Sequence, residues 1–257
     1  MKANYHTHTS FCDGKNTPEE MVVAAIEKGF DTLGFTAHAM YPFEGEGYLP
    51  TARYDEYVQT IRSLARTYGD RIKILLGFEA DYIPGCTTPD RARYAPFNPD
   101  YLIGSIHFVC AGSPEKRVAV DYSPERLTAG IREFFGGDAK AFLQTYFAAL
   151  REMVSRYDFD IVGHADLPRK FNGKLHYFDE EVPWYRDEIL RTADVLAASG
   201  KNVEINTGAI SRGWMDTPYP SGEFRRLLLA RGVQMVVNSD AHFVDGLDCG
   251  FDRRWEE

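Results

Sequence analysis

The chain has 257 residues, enough for one large domain with a substantial core, and its 44% hydrophobic and 26% charged residues are those of an ordinary soluble globular protein. No apolar stretch reaches the length that spans a bilayer, which excludes a membrane-embedded function class. The net charge of −9, from 29 basic and 38 acidic residues, makes a poor polyanion binder and argues against a nucleic-acid partner; three divalent cations would bring it to −3.

The opening MKANYHTHT carries no apolar signal region. Cys12, Cys86, Cys110 and Cys249 lie far apart and form no CxxC pair. Together these predict a cytoplasmic protein without a disulfide framework or a cysteine zinc site. The first apolar run, ANY (3–5), predicts a short strand and ends in His6-Thr7-His8, with Asp13 in the following loop. Thr17-Pro18-Glu19-Glu20 combines an N-cap, a proline at the first helical position and a capping-box glutamate. The helix it opens closes near Gly29. TLGF (32–35) predicts a second strand, ending in Thr36-Ala37-His38, and helical spacing follows over 51–68. IKILLGF (72–78) ends in Glu79-Ala80-Asp81, and YLIGSI (101–106) ends in His107. After a helical stretch at 138–157, FDIVG (159–163) ends in His164-Ala165-Asp166. A helix over 179–199 leads to NVEI (202–205), ending in Asn206-Thr207. A helix over 221–231 leads to VQMVV (233–237), ending in Asn238-Ser239-Asp240-Ala241-His242.

No repeat, low-complexity tract or linker breaks this alternation, which predicts a parallel sheet. Seven strands over residues 1–257 predict a single α/β domain, a closed or nearly closed TIM-barrel-like barrel, with a doubly wound open sheet as the alternative. In such a barrel the carboxyl ends of all strands share one face, where the chemistry is placed. Six of the seven histidines therefore converge. Residues two apart on a strand point to one side, so His6 and His8 can grip one ion, and Asp240 and His242 repeat the spacing. Imidazole mixed with carboxylate suits zinc, manganese or iron. One histidine at a strand end is ordinarily a hydrogen-bonded polar cap. His6, His8, His38, Glu79, His107, His164, Asp240 and His242 would all have to share that face by accident. His176 follows no strand-like run and is read as a surface or loop residue. Asp81 and Asp166 are read as supporting or solvated carboxylates rather than ligands, and Glu204, inside a run, as paired with a basic neighbour.

The blocks HTHTSFCDG, GFTAHA, GFEADYIPG, IGSIHFV, DIVGHADLPRKFN, VEINTGAISRG and VNSDAH, in this order from residue 5 to about 245, resemble the polymerase and histidinol phosphatase (PHP) family. FCDG, DYIPG and KFN favour its monofunctional histidinol-phosphate phosphatases. The resemblance implies a distorted (β/α)7 barrel with three divalent ions. One would be held by His6, His8, Glu79 and Asp240, a second by Asp13, His38 and His242, and a third by His107 and His164 with Glu79 bridging. Asp13 stands where some relatives carry histidine, and Ala37 where relatives often carry aspartate; Ala37 is read as no loss of a ligand.

Phosphate monoesters hydrolyse extremely slowly in water, and a metal cluster can supply hydroxide near neutral pH while neutralising phosphoryl oxygens. The expected nucleophile is a hydroxide bridging two ions, and the serines of HTHTS and NSDAH sit in no nucleophile elbow. Arg169 and Arg212, after the fifth and sixth runs, are the expected phosphate donors through bidentate forks, with Lys170 a lesser candidate. Glu44, Glu46 and Tyr48 are candidates for the outer substrate pocket. The expected substrate is a small phosphorylated amino alcohol, L-histidinol phosphate, hydrolysed to L-histidinol and phosphate. The rivals are a broader phosphomonoesterase, a phosphodiesterase or nuclease, and a regulatory module with a relic site. The lack of a basic, aromatic groove weighs against a nuclease, and a relic would have lost ligands.

Overall fold

The computed structural model describes residues 1–41 and 47–255, so Glu44 and Glu46 lie outside the described residues. In chain order the strands are β1 (Ala3–Asn4), β2 (Thr32–Ala39), β3 (Lys73–Asp81), β4 (Tyr101–Ser105), β5 (Phe108–Cys110), β6 (Arg117–Ala119), β7 (Ile161–Val162), β8 (Asn202–Asn206) and β9 (Met235–Asn238). Seven of them pair in parallel in the order β1-β2-β3-β4-β7-β8-β9. Just beyond β1 and β9, Thr7 and Ala241 form a parallel bridge, and the His8 N–H donates to the Ala241 carbonyl at 2.9 Å. The sheet thus curls into a nearly closed barrel, and the open-sheet alternative falls away. All seven expected strands are present. β2 and β3 run further than their apolar runs, so His38 and Glu79 are strand residues, paired with each other in register.

Helices Pro18–Glu27, Tyr54–Thr67, Ala139–Arg156, Pro183–Ser199 and Gly222–Leu229 surround the barrel where helical spacing predicts them. The capping box forms: the Thr17 side chain accepts from the Glu20 N–H at 3.3 Å, and the Glu20 carboxylate accepts from the Thr17 N–H at 2.8 Å. Besides short helices at Arg91–Tyr94, Asn172–Leu175 and Gly208–Ser211, two larger elements were not anticipated. One is helix Pro124–Phe134, capped by Ser123. The other is the antiparallel β5–β6 hairpin, whose three-residue strands are too short to show a period. Among the described residues no helix is long and apolar enough to cross a membrane, and the four cysteines are free.

Side chains alternate across each strand, so the barrel interior is set by parity. On β3 the inward set is Leu75, Gly77 and Glu79. Its lower part meets a small cluster of Tyr101, Ile103 and Ile161, against which Tyr5, Leu75 and Val236 pack. Tyr101 lies across this plug and donates its hydroxyl to the Tyr5 carbonyl. Gly34 and Gly77 make room for it: a Cβ at Gly34 would stand 2.1 Å from the Tyr101 hydroxyl, and one at Gly77 2.7 Å from the ring. Gly77→Ala is therefore expected to destabilise the protein by about 1–3 kcal/mol through overpacking. A lowered urea midpoint at unchanged slope would show it; an unshifted midpoint would mean that the plug yields. Above this apolar floor, the same inward face carries the polar residues of the barrel mouth.

Candidate metal centre

Glu79 lies at the middle of the mouth. Its Oε2 lies 3.2 Å from His6 Nε2, 3.4 Å from His8 Nε2 and 3.0 Å from His38 Nδ1. Its Oε1 lies 3.4 Å from His107 Nε2 and 3.0 Å from His164 Nε2. Asp240 Oδ1 stands 3.2 Å from His8 Nε2 and 3.8 Å from His6 Nε2. On the outer side, Asp13 reaches His242 Nε2 at 3.0 Å, His8 Nδ1 at 3.4 Å and His38 Nε2 at 3.6 Å. Three overlapping groups have ligand atoms close enough to hold an ion: His6, His8 and Asp240; His8, Asp13, His38 and His242; and His38, Glu79 and His107. The structure thus brings all nine expected donors to one place, although His8 and His38 are each shared between two groups and His164, outside those groups, joins through Glu79 Oε1 and the neighbouring His107 ring. The donor set fits a cation by another criterion too. Among the described residues, His6 Nε2, His8 Nε2, His38 Nδ1 and Glu79 Oε2 are buried together without a hydrogen-bond partner, an arrangement that buried polar atoms otherwise avoid.

The donors are aimed from behind. Glu204 Oε2 lies 2.9 Å from His6 Nδ1, and the same carboxylate accepts from the His164 N–H at 2.8 Å and from the Asn206 and Asn238 amides at 2.8 and 2.9 Å. Glu204 is two residues from Asn206 on β8 and shares its inward face. Its basic neighbour is a histidine, not a lysine or arginine. Asp81 Oδ1 holds His107 Nδ1 at 2.9 Å. Such carboxylate partners fix the tautomer and direct the other ring nitrogen to the metal. Asp240 itself adopts φ 47, a left-handed conformation in which aspartate is among the tolerated residues. Gly208 leaves the space it needs, since a Cβ there would lie 2.7 Å from Asp240 Oδ2.

A cavity of about 400 Å³ opens above the cage, lined by Asp13, His38, Glu79, His107, His164, Asp240 and His242 and also by Tyr48, Asp121, Lys170 and Arg212. Arg212 is anchored here: Nη2 lies 3.1 Å from Asp240 Oδ2, and Nη1 lies 3.1 Å from the Asp240 carbonyl and 2.8 Å from His242 Nδ1. Lys170 donates to the carbonyl and the carboxylate of Asp121 at 2.8 and 3.1 Å. Arg169 is placed otherwise. It donates to Glu180 at 2.8 Å and lines a separate cleft with Glu181, Tyr185 and Arg226. Its Nε is thus paired with a carboxylate eleven residues further on, while its Nη1 is buried without a hydrogen-bond partner among the described residues. Asp166 lies nearby, accepting from the Ser221 N–H at 2.7 Å rather than joining the cage. His176 is exposed at the end of a short helix, as expected.

The pattern of the PHP domain family matches residues 4–208, most of the chain and all but the last two cage donors. The chain belongs to the PHP family. A Deinococcus radiodurans protein named "Probable histidinol-phosphatase" is 30% identical over 245 residues, covering 92% of this chain and 85% of that protein. The hisK crystal structure from Listeria monocytogenes has the same fold, with a TM-score of 0.84 at 22% identity over 98% of this chain and 99% of that one. The histidinol phosphate phosphatase of Lactococcus lactis, crystallised with zinc, L-histidinol and phosphate, gives a TM-score of 0.67 at 22% identity over 95% of this chain and 87% of that one.

Burial alone would favour the neutral form of Glu79, Asp13, Asp240, His6, His38 and His107, but facing charges outweigh it. His6, His38 and His107 hold Glu79 well below the usual carboxylate range. His242 and His38 do the same for Asp13, and Arg212 and His6 for Asp240. Against the same burial, Glu204 and Glu79 raise His6, and Glu79 and Asp13 raise His38. Asp81 and Glu79 raise His107 to about 9. His8 differs: burial, reinforced by His242 and His38, lowers it to about 3, so it presents a neutral imidazole, the form that binds metal. Carboxylates kept ionised by neighbouring positive charge are groups that a cation can serve in place of those protons.

Proposed function

We propose that this PHP protein is a cytoplasmic, metal-dependent phosphomonoesterase that hydrolyses L-histidinol phosphate to L-histidinol and phosphate. The observation that carries the reading is Arg212 and Lys170 lining one cavity above a cage of imidazoles and carboxylates. The names of the relatives support it, as does the zinc, L-histidinol and phosphate of the Lactococcus protein. His6, His8, Asp13, His38, Glu79, His107, His164, Asp240 and His242 would hold up to three divalent ions, zinc, manganese or iron. Those ions would supply water activation near neutral pH and charge neutralisation on the phosphoryl oxygens.

The chain's own residues do the rest. Glu79, with Oε2 toward His6, His8 and His38 and Oε1 toward His107 and His164, would be a ligand to ions on both sides of the cage. Glu204 and Asp81 fix His6 and His107, so the donors need little reorganisation as charge develops. Arg212 offers a planar fork to the phosphoryl group, with Asp240 holding the guanidinium in place. Lys170, lining the same cavity, adds a point charge. In this reading Arg169 offers the phosphoryl group its Nη1, which has no hydrogen-bond partner among the described residues, while its Nε stays on Glu180.

Turnover of L-histidinol phosphate against a panel of small phosphomonoesters and a dinucleotide tests the proposal. The highest kcat/KM is expected for histidinol phosphate, and preference for the dinucleotide would overturn the assignment. Arg212→Lys keeps the charge but loses the fork, and is expected to raise KM about 10-fold or more, the scale of a hydrogen bond to a charged group. Elemental analysis should find its metal content unchanged. Loss of metal instead would make Arg212 a support for Asp240 and His242 rather than a phosphate donor.

A further inference from the structure

Four carboxylates line the cavity among the described residues: Asp13, Glu79, Asp121 and Asp240. Three of them belong to the metal-holding groups. Asp121 does not, and its place follows from the unanticipated hairpin: it comes two residues after β6 and just before the Ser123 cap, which carries it over the mouth. Lys170 engages its Oδ2 and its carbonyl. Among the described residues Oδ1 has no hydrogen-bond partner, and the side chain is 29% exposed, open to the cavity. Burial would raise this carboxyl, but Lys170, His107 and His164 hold it below its ordinary range, so it is an anion at neutral pH.

We infer that Asp121 binds the ammonium group of the substrate and thereby selects phosphate esters that carry an amine on the carbon next to the ester carbon. The inference rests on the phosphomonoesterase reading and deepens it. Such an ester is a short zwitterion, with its ammonium a two-carbon reach from the ester oxygen. The recognising carboxylate must therefore stand beside the phosphate donors. Lys170 and Asp121 form the mirror-image pair, cation toward the phosphoryl group and anion toward the amine. The side wall suits the remaining ring of the substrate: Tyr41 and Tyr48 stack at 3.7 Å, and Phe108 meets Tyr41 edge-on at 6.0 Å. An amine-free ester would leave Asp121 Oδ1 desolvated without a partner, the situation in which a site rejects an analogue most strongly.

The test compares kcat/KM for L-histidinol phosphate and its des-amino analogue, imidazolylpropyl phosphate, in the metal-loaded unmodified enzyme and in Asp121→Asn and Asp121→Glu. The unmodified enzyme is expected to prefer the amine ester by about 10- to 100-fold, the range for one hydrogen bond to a charged group. Asp121→Asn should lose most of that preference, and Asp121→Glu should restore part of it. Equal losses on both esters in Asp121→Asn would overturn the inference, because Asp121 would then act only by holding Lys170. So would an unmodified enzyme that hydrolyses both esters equally well, a result that leaves the phosphatase reading standing. Turnover of neither ester by the unmodified enzyme would remove that reading and this inference with it.

Discussion

Glu79→Gln is expected to strip metal from the protein and lower kcat/KM by at least 10²-fold. The substitution is nearly isosteric, so the cost is electrostatic. One buried carboxylate faces five imidazole nitrogens at 3.0–3.4 Å. Removing its charge leaves that array uncompensated, and breaking a buried ion pair from one side costs about 3–5 kcal/mol. The amide would also turn a donor toward imidazole nitrogens that must be free to bind an ion. Elemental analysis beside a steady-state assay reads both effects. Full metal occupancy with normal turnover would mean that the ions bind without Glu79 at their centre.

The second large effect is an opposite dependence on pH of the metal-free and metal-loaded protein. The folded pKa of His107 is raised to about 9, by Asp81 and Glu79 acting against burial, from an unfolded value of about 6.5. A raised histidine stabilises fully below its unfolded pKa, and the contribution is lost as pH rises through the folded one. His6 and His38 are shifted in the same direction. Glu79, Asp13 and Asp240 are shifted down, so they stabilise above pH about 4 and lose this only as pH falls further. Chelated protein should therefore be most stable near pH 6.5, because His8, lowered to about 3, costs stability as pH falls below that, and should weaken toward pH 9, by on the order of 3 kcal/mol from His107 alone. Metal binding requires deprotonated imidazoles and strengthens over the same interval. The gap in Tm between loaded and chelated protein should widen by roughly 10 °C from pH 6 to pH 9. A constant gap would show that the histidines do not carry the compensating protons.

The cage was legible because each strand announces itself as an apolar run and each ligand follows at its end. Spacing by two marks His6 with His8 and Asp240 with His242 as sharing a side. What stayed hidden depends on contacts made through space. Glu204 reads as an ordinary strand residue until β1 lies two strands away and places His6 against it. Arg169 and Arg212 are alike in sequence, each shortly after a strand, and only the fold shows that Glu180 takes one while Asp240 takes the other. Asp121 was missed because the hairpin before it has strands of three residues. The helix after it was overlooked too, although Ser123-Pro124-Glu125 repeats the capping logic of Thr17-Pro18-Glu19.

Barrel closure between Thr7 and Ala241 has a consequence for biosynthesis. His6 and His8 leave the ribosome more than two hundred residues before Asp240 and His242, so the group of His6, His8 and Asp240 cannot form until β9 has been made. The group of His38, Glu79 and His107 needs no residue beyond 107, whereas the one that joins His6 and His8 to Asp240 forms only as the barrel closes.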